Sequence, residues 1–138
     1  MQYEEITEKV IGAAYLVYNT LGFGFLESVY EKSMVIELRK SGLSVVEQEP
    51  IQVFYDDDLV GDFIADLIVE DKIIVELKSV ITLHKKHEVQ LVNYLTATKT
   101  DVGLLINFGE DGVEVKRKVR KLEPDRIDRM NGIGKTKR

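Results

Sequence analysis

The sequence has no cysteine, no tryptophan, only two prolines and only two histidines. Without cysteine there can be no disulfides, thiolate metal sites or cysteine nucleophiles. No apolar run approaches the ~18 residues that a membrane-spanning helix needs. The start, Met1-Gln2-Tyr3-Glu4-Glu5, is acidic and lacks an apolar core, so no secretory leader is expected. These absences lead to the expectation of a soluble, cytoplasmic protein. What is present is a globular composition, 44% hydrophobic and 31% charged, which excludes disorder over most of the chain. A length of 138 residues suits one domain, able to bury roughly two thirds of its unfolded surface without staples. The expected division is a domain over 1–120 and a basic, flexible tail over 121–138.

The net charge of −5 argues mildly against a nucleic-acid protein, but it hides an asymmetry. From Lys116 to Arg138 there are ten Lys/Arg and three Asp/Glu, a surplus of +7, whereas residues 1–115 hold nine and twenty-one, or −12. A basic end can hold an anionic backbone without sequence preference; it can equally be a solvated extension.

Ile6, Val10, Ala13, Ala14, Val17 and Leu21 recur at steps of three and four, predicting a helix over about 3–20. Gly22 and Gly24 break it, and a second helix is expected from about Leu26 to Lys40, ended by Ser41-Gly42. The period then changes to two. Strands are expected at Val45–Tyr55, Leu59–Val69 and Ile73–Ser79, joined by turns at Asp56-Asp57-Asp58 and Glu70-Asp71-Lys72. A helix over Leu83–Thr98 and a strand over Val102–Phe108 follow, and Val113 and Val115 can start a short last strand. The fold class is α/β (α+β), in the order α-α-β-β-β-α-β.

Polar groups violate this pattern in three places. Asp66 interrupts a strand that is otherwise apolar on both faces, with Ile64 and Ile68 as its expected face-mates. Glu76 and Lys78 stand on the face of the next strand that begins with Ile74. If Glu70-Asp71-Lys72 is a three-residue loop, Val69 faces Ile73, and Asp66 then lies across from Glu76 on the same face. Two buried carboxylates at that range repel and drive one to protonate. A divalent cation removes the conflict, and hard oxygen ligands suit Mg²⁺ or Mn²⁺. The structural alternative is a buried salt bridge to Lys78.

Glu27 borders the apolar stripe of the second helix, where it can instead serve the helix dipole. Gln90 and Tyr94 sit at i and i+4 on the third helix, beside His87 and Leu91, a pattern ordinary amphipathic packing also produces. His84 and His87 have no third ligand nearby, so zinc is not favoured. Gly22-Phe23-Gly24-Phe25-Leu26-Glu27 imitates a dinucleotide fingerprint for five residues, but it follows a helix and ends in Glu, which excludes that route.

An Asp on one strand, Glu76-Leu77-Lys78 on the next, and this element order resemble the PD-(D/E)XK nuclease superfamily. Gly24-Phe25-Leu26-Glu27-Ser28-Val29-Tyr30 resembles its GxxExxY branch. Gln90-Leu91-Val92-Asn93-Tyr94 is similar to the Gln-Xaa-Xaa-Xaa-Tyr element of RecB-like and lambda-exonuclease-like members. The Pro-Asp of the superfamily name reads Ala65-Asp66 here.

The resemblance implies a restriction-endonuclease-like core with a central mixed four- to five-stranded sheet flanked by helices. It implies that Asp66, Glu76 and the carbonyl of Leu77 bind Mg²⁺ (or Mn²⁺), and that Glu27 touches the ion directly or through water. Lys78 would position the attacking water or neutralise the phosphate, and Gln90 and Tyr94 would orient Lys78 or hold the scissile nucleotide. Phosphodiester hydrolysis needs those parts: a Lewis acid, an activated water and a cation for the growing charge.

The expected activity is therefore a metal-dependent nuclease acting on DNA, with repair or defence as its setting and a homodimer or a protein partner as its assembly. The alternatives are a nuclease-fold module with little turnover that binds nucleic acid or protein, and a structure-selective endonuclease of Holliday-junction type.

Overall fold

The computed structural model describes residues 2–120. Three helices and five strands follow in the order α1 (Glu4–Leu21), α2 (Glu27–Lys40), β1 (Val45–Tyr55), β2 (Asp58–Val69), β3 (Ile73–Lys78), α3 (Lys85–Thr98), β4 (Val102–Phe108) and β5 (Val113–Val119). The strands form one mixed sheet in the spatial order of the chain, β1-β2-β3-β4-β5. All neighbours are antiparallel except β3 and β4. A parallel pair cannot be joined by a tight turn, and α3 is the crossover between them.

The sheet separates two apolar clusters. On one face α1 and α2 bury Val10, Ala14, Val17, Met34 and Leu38 against Leu67, Val75, Leu77, Leu104 and Ile106. On the other face α3 sets Leu91, Tyr94 and Leu95 against Ile51, Ala65, Ile74 and Leu105. Alternation in β3 accounts for this division: odd residues face α1 and α2, and Ile74 faces α3. At Gly103 a Cβ would lie 2.9 Å from Leu91 Cδ1, so the missing side chain lets α3 lie close on β4.

The expected turn at Glu70-Asp71-Lys72 forms and sets Val69 opposite Ile73. The five-stranded mixed sheet agrees with the expected fold class, and the short last strand expected from Val113 and Val115 forms as β5, longer than expected. It runs seven residues, through Lys116, Arg117 and Lys118, so the basic surplus begins inside a strand. Basic side chains suit this position, because they discourage edge-to-edge pairing. The expected basic tail, 121–138, lies outside the described residues.

One correction concerns the alternation of β2. Ile68 packs on the α3 side with Ile74, but upstream it is Ala65 and Phe63 that face α3, while Ile64, the expected face-mate of Ile68, is exposed. The phase slips at Asp66. β1 slips at the same level: Val45 joins the α1/α2 cluster whereas Ile51 joins the α3 cluster. Between them Gln48, which would sit across from Asp66, has φ of 53° and is passed over in the pairing register. That left-handed conformation is uncommon for a residue other than glycine. The outer half of the β1–β2 hairpin therefore turns a different set of side chains toward α3 than simple counting predicts.

Candidate active site

Backbone pairing of β2 with β3 runs Val69–Ile73, Ile68–Ile74 and Leu67–Val75, and stops. Beyond it, carboxylates take over from carbonyls. The Asp66 N–H donates to Glu76 Oε2 at 2.9 Å, and the Leu77 N–H donates to Asp66 Oδ2 at 2.8 Å. Each acid is thus tied to the backbone of the other's strand through one oxygen. The phase slip makes this possible, since it removes Asp66 from the regular ladder.

Glu76 is only 8% exposed. Burial, then the neighbouring charge of Asp66, pushes its pKa from the ordinary 4.5 up to about 8. Burial also raises the pKa of Asp66, opposed by the Leu77 N–H, the Lys78 ammonium and the Gln48 amide. Lys78 lies half-buried two residues after Glu76. Among the described residues no ion pair joins it to either acid, so the structural alternative of a closed salt bridge is not what forms. Its charge nevertheless acts on Asp66, on Glu76 and on His87. Just beyond Lys78, the buried Asn107 side chain accepts from the Val80 N–H at 2.9 Å and donates to the Val80 carbonyl at 2.8 Å, which steadies the chain leaving β3.

From the opposite side α3 contributes Tyr94, 7% exposed. Burial, and then the charges of Glu76 and Asp66, raise the pKa of its hydroxyl, which Gln90 contacts. The phenol therefore stays protonated and able to donate. Gln90 itself is exposed. His84 and His87 are used locally: the His84 N–H donates to His87 Nδ1 at 3.2 Å at the start of α3.

Glu27 is not drawn into this group. It is exposed in the first turn of α2. The acid of α2 whose charge reaches the pair is Glu31, one turn further on. The Gln48 side chain donates to Glu31 Oε1 at 2.8 Å, and burial raises the Glu31 pKa. Sequence reasoning missed both residues. One signal was available for Gln48: the polar run Glu47-Gln48-Glu49-Pro50 breaks the alternation of β1.

Tyr30, from the same sequence segment as Glu27, is fully buried. It stacks on Phe108 with ring centroids 4.2 Å apart and donates to the Gly22 carbonyl. It anchors the α1–α2 loop, whose Phe25 carbonyl accepts from Ser79 Oγ at 3.0 Å. Gly22 and Gly24, with φ of 77° and 112°, supply the backbone freedom the loop needs.

The chain belongs to the PD-(D/E)XK nuclease superfamily. The family model matches residues 4–121, nearly the whole domain. Among solved structures the chain is similar to the crystal structure of SSO0001, at 18% identity and a TM-score of 0.53. That match covers 86% of this chain and 60% of the other, so this chain spans well under the full length of that protein, and the likeness concerns the fold alone. No curated protein matches.

The superfamily typically uses divalent metals, and the donors here fit one. Two carboxylates on neighbouring strands, each with an oxygen not engaged in the reciprocal bonds, suit a hard cation. Among the described residues no three His, Cys, Asp or Glu side chains gather tightly enough to hold an ion by themselves. Water and substrate oxygens would have to complete the shell, which is how Mg²⁺ is commonly held.

Proposed function

We propose that this chain is a metal-dependent nuclease that hydrolyses DNA phosphodiester bonds at the Asp66–Glu76 pair. The observation that carries the reading is the reciprocal tie between the two acids: β2 and β3 stop pairing where Asp66 and Glu76 begin to bond each other's strands. Holding two carboxylates this close is costly, and Lys78 stands beside them without closing an ion pair.

In this reading the free oxygens of Asp66 and Glu76, with the Leu77 carbonyl, hold Mg²⁺ or Mn²⁺. When bound, that ion supplies a Lewis acid for the phosphoryl oxygen and makes water a better nucleophile. Lys78 orients the attacking water or offsets charge on the phosphate. Tyr94, kept protonated, donates toward the same phosphate, and Gln90 holds its hydroxyl. Glu31 adds negative potential that favours a cation. Glu27, which the resemblance brings to the metal, keeps only a water-mediated part.

The test is a panel of single-stranded, duplex, flap and four-way DNA, plus RNA, with Mg²⁺, Mn²⁺ or EDTA. Metal-dependent cleavage by the parent and none by Glu76→Ala or Lys78→Ala, at unchanged folding, supports the reading. Variants that cut as fast as the parent remove it. A second reading, a nuclease-fold binding module with little turnover, is favoured by the acidic body of the chain, −12 over residues 1–115, which suits a duplex substrate poorly. Binding of DNA with no cleavage by the parent in any metal would select that alternative.

A further inference from the structure

A cavity of about 760 Å³ opens between the outer half of the β1–β2 hairpin and α3. Its walls are apolar, formed by Val53, Phe63, Val89 and Tyr94, and Lys85 and Lys86 stand on its lining from the first turn of α3. Tyr94 joins it to the carboxylate pair, since the ring lines the cavity and the hydroxyl feels Glu76 and Asp66. The Phe63 ring lies 5.6 Å from the Tyr94 ring, and Phe63 is 41% exposed. Phe63 reaches this position only because the alternation of β2 slips at Asp66.

We infer that this cavity receives an unpaired base of the substrate strand, with Lys85 and Lys86 on the flanking phosphates. The inference rests on the nuclease reading for its substrate, and it adds a preference for single-stranded or frayed DNA. The size is that of a ligand site. An exposed aromatic face such as that of Phe63 stacks on any base, without sequence preference. In a duplex the base is already stacked and paired, so its faces are not available without flipping. Charge points the same way. The body of the chain is acidic, yet the first turn of α3 offers Lys85 and Lys86. Its one acid, Glu88, is occupied by Lys118 at 2.6 Å. An apolar slot rimmed by cations and leading to two acids matches a nucleotide: flat base, anionic backbone, scissile phosphate at the metal. An apolar peptide would use the walls but leave the two lysines without partners.

The experiment is fluorescence anisotropy of a labelled thymidine strand, a duplex of the same length and an abasic strand of the same length. The full chain is used, with Ca²⁺ replacing Mg²⁺ to suppress turnover. The parent should bind the base-bearing strand about tenfold or more tighter than the abasic one. Phe63→Ala should erase that difference, and Phe63→Trp should keep it. Lys85→Glu with Lys86→Glu should weaken both strands and flatten the salt dependence. Equal binding of base-bearing and abasic strands by the parent overturns the inference, and needs no variant to fold. So does a Phe63→Ala loss of equal size on both strands. The nuclease reading is judged separately: base-dependent binding without metal-dependent cleavage upholds the subsite and removes the nuclease, whereas cleavage without base-dependent binding does the reverse.

Discussion

The two faces of the sheet differ in kind. Under α1 and α2 the core is closed and apolar, with Tyr30, Met34, Leu38, Leu104 and Phe108 fully buried. Under α3 the apolar cluster is smaller. The same face carries Glu76, Lys78 and an open cavity. One strand serves both: Val75 and Leu77 enter the closed core while Glu76 and Lys78 look the other way. The difference teaches that a thin, five-stranded domain can tolerate buried charge on one face because the other face supplies its stability.

Substitutions on opposite faces should therefore separate activity from stability. The largest effect on activity is expected from Lys78→Ala. It should lower metal-dependent cleavage by about a thousandfold, the scale of losing a charge-stabilising group, with the melting temperature unchanged. A large fall in melting temperature would show that the two faces are not independent. Next, Leu104→Ala on the closed face should cost about 3 kcal/mol in denaturant unfolding and leave the cleavage rate of the folded fraction unaltered.

Glu76→Gln sharpens the contrast through pH. The folded-state pKa of Glu76 is raised, so its contribution to stability is full below about 4.5 and is lost as pH rises through about 8. Burial of Asp66 acts in the same direction. In EDTA, melts of the parent from pH 5 to 9 should show falling stability. Glu76→Gln should flatten that fall and exceed the parent at pH 9 by up to about 5 kcal/mol. A parent as stable at pH 9 as at pH 5 would mean that Glu76 is not held against its charge. The smallest effect is expected from Lys118→Ala. It removes the ion pair that ties β5 to α3, whose side chains are 29% and 19% exposed, and a pair of that exposure contributes below about 1 kcal/mol.

The sequence is legible where one periodicity rules. Val10, Ala13, Ala14 and Val17 mark α1 because the helix repeat is uninterrupted. The turn at Glu70-Asp71-Lys72 sets the pairing of β2 with β3 because both strands are regular around it. That parity was enough to bring Asp66 and Glu76 to one place. Counting fails where the backbone leaves its period. The slip at Gln48 and Asp66 needs a left-handed residue that no glycine announces, and it moves Phe63 to the α3 side. Glu31 was masked by its neighbours Tyr30 and Met34, whose apolar stripe drew attention to Glu27 instead. β5 was cut short in the reading because three consecutive basic residues look like a tail, although their aliphatic stems are compatible with an edge strand.

The central claim is that Asp66 and Glu76 together capture a hard divalent ion. Calorimetric titration of Mn²⁺ into the parent and into Asp66→Asn, at pH 8 where Glu76 is about half ionised, tests it most directly. The account predicts a saturable site in the parent that is lost in the variant, with protons released as the ion displaces them from Glu76. Identical heats for the two proteins, or no saturable binding by the parent, would contradict it.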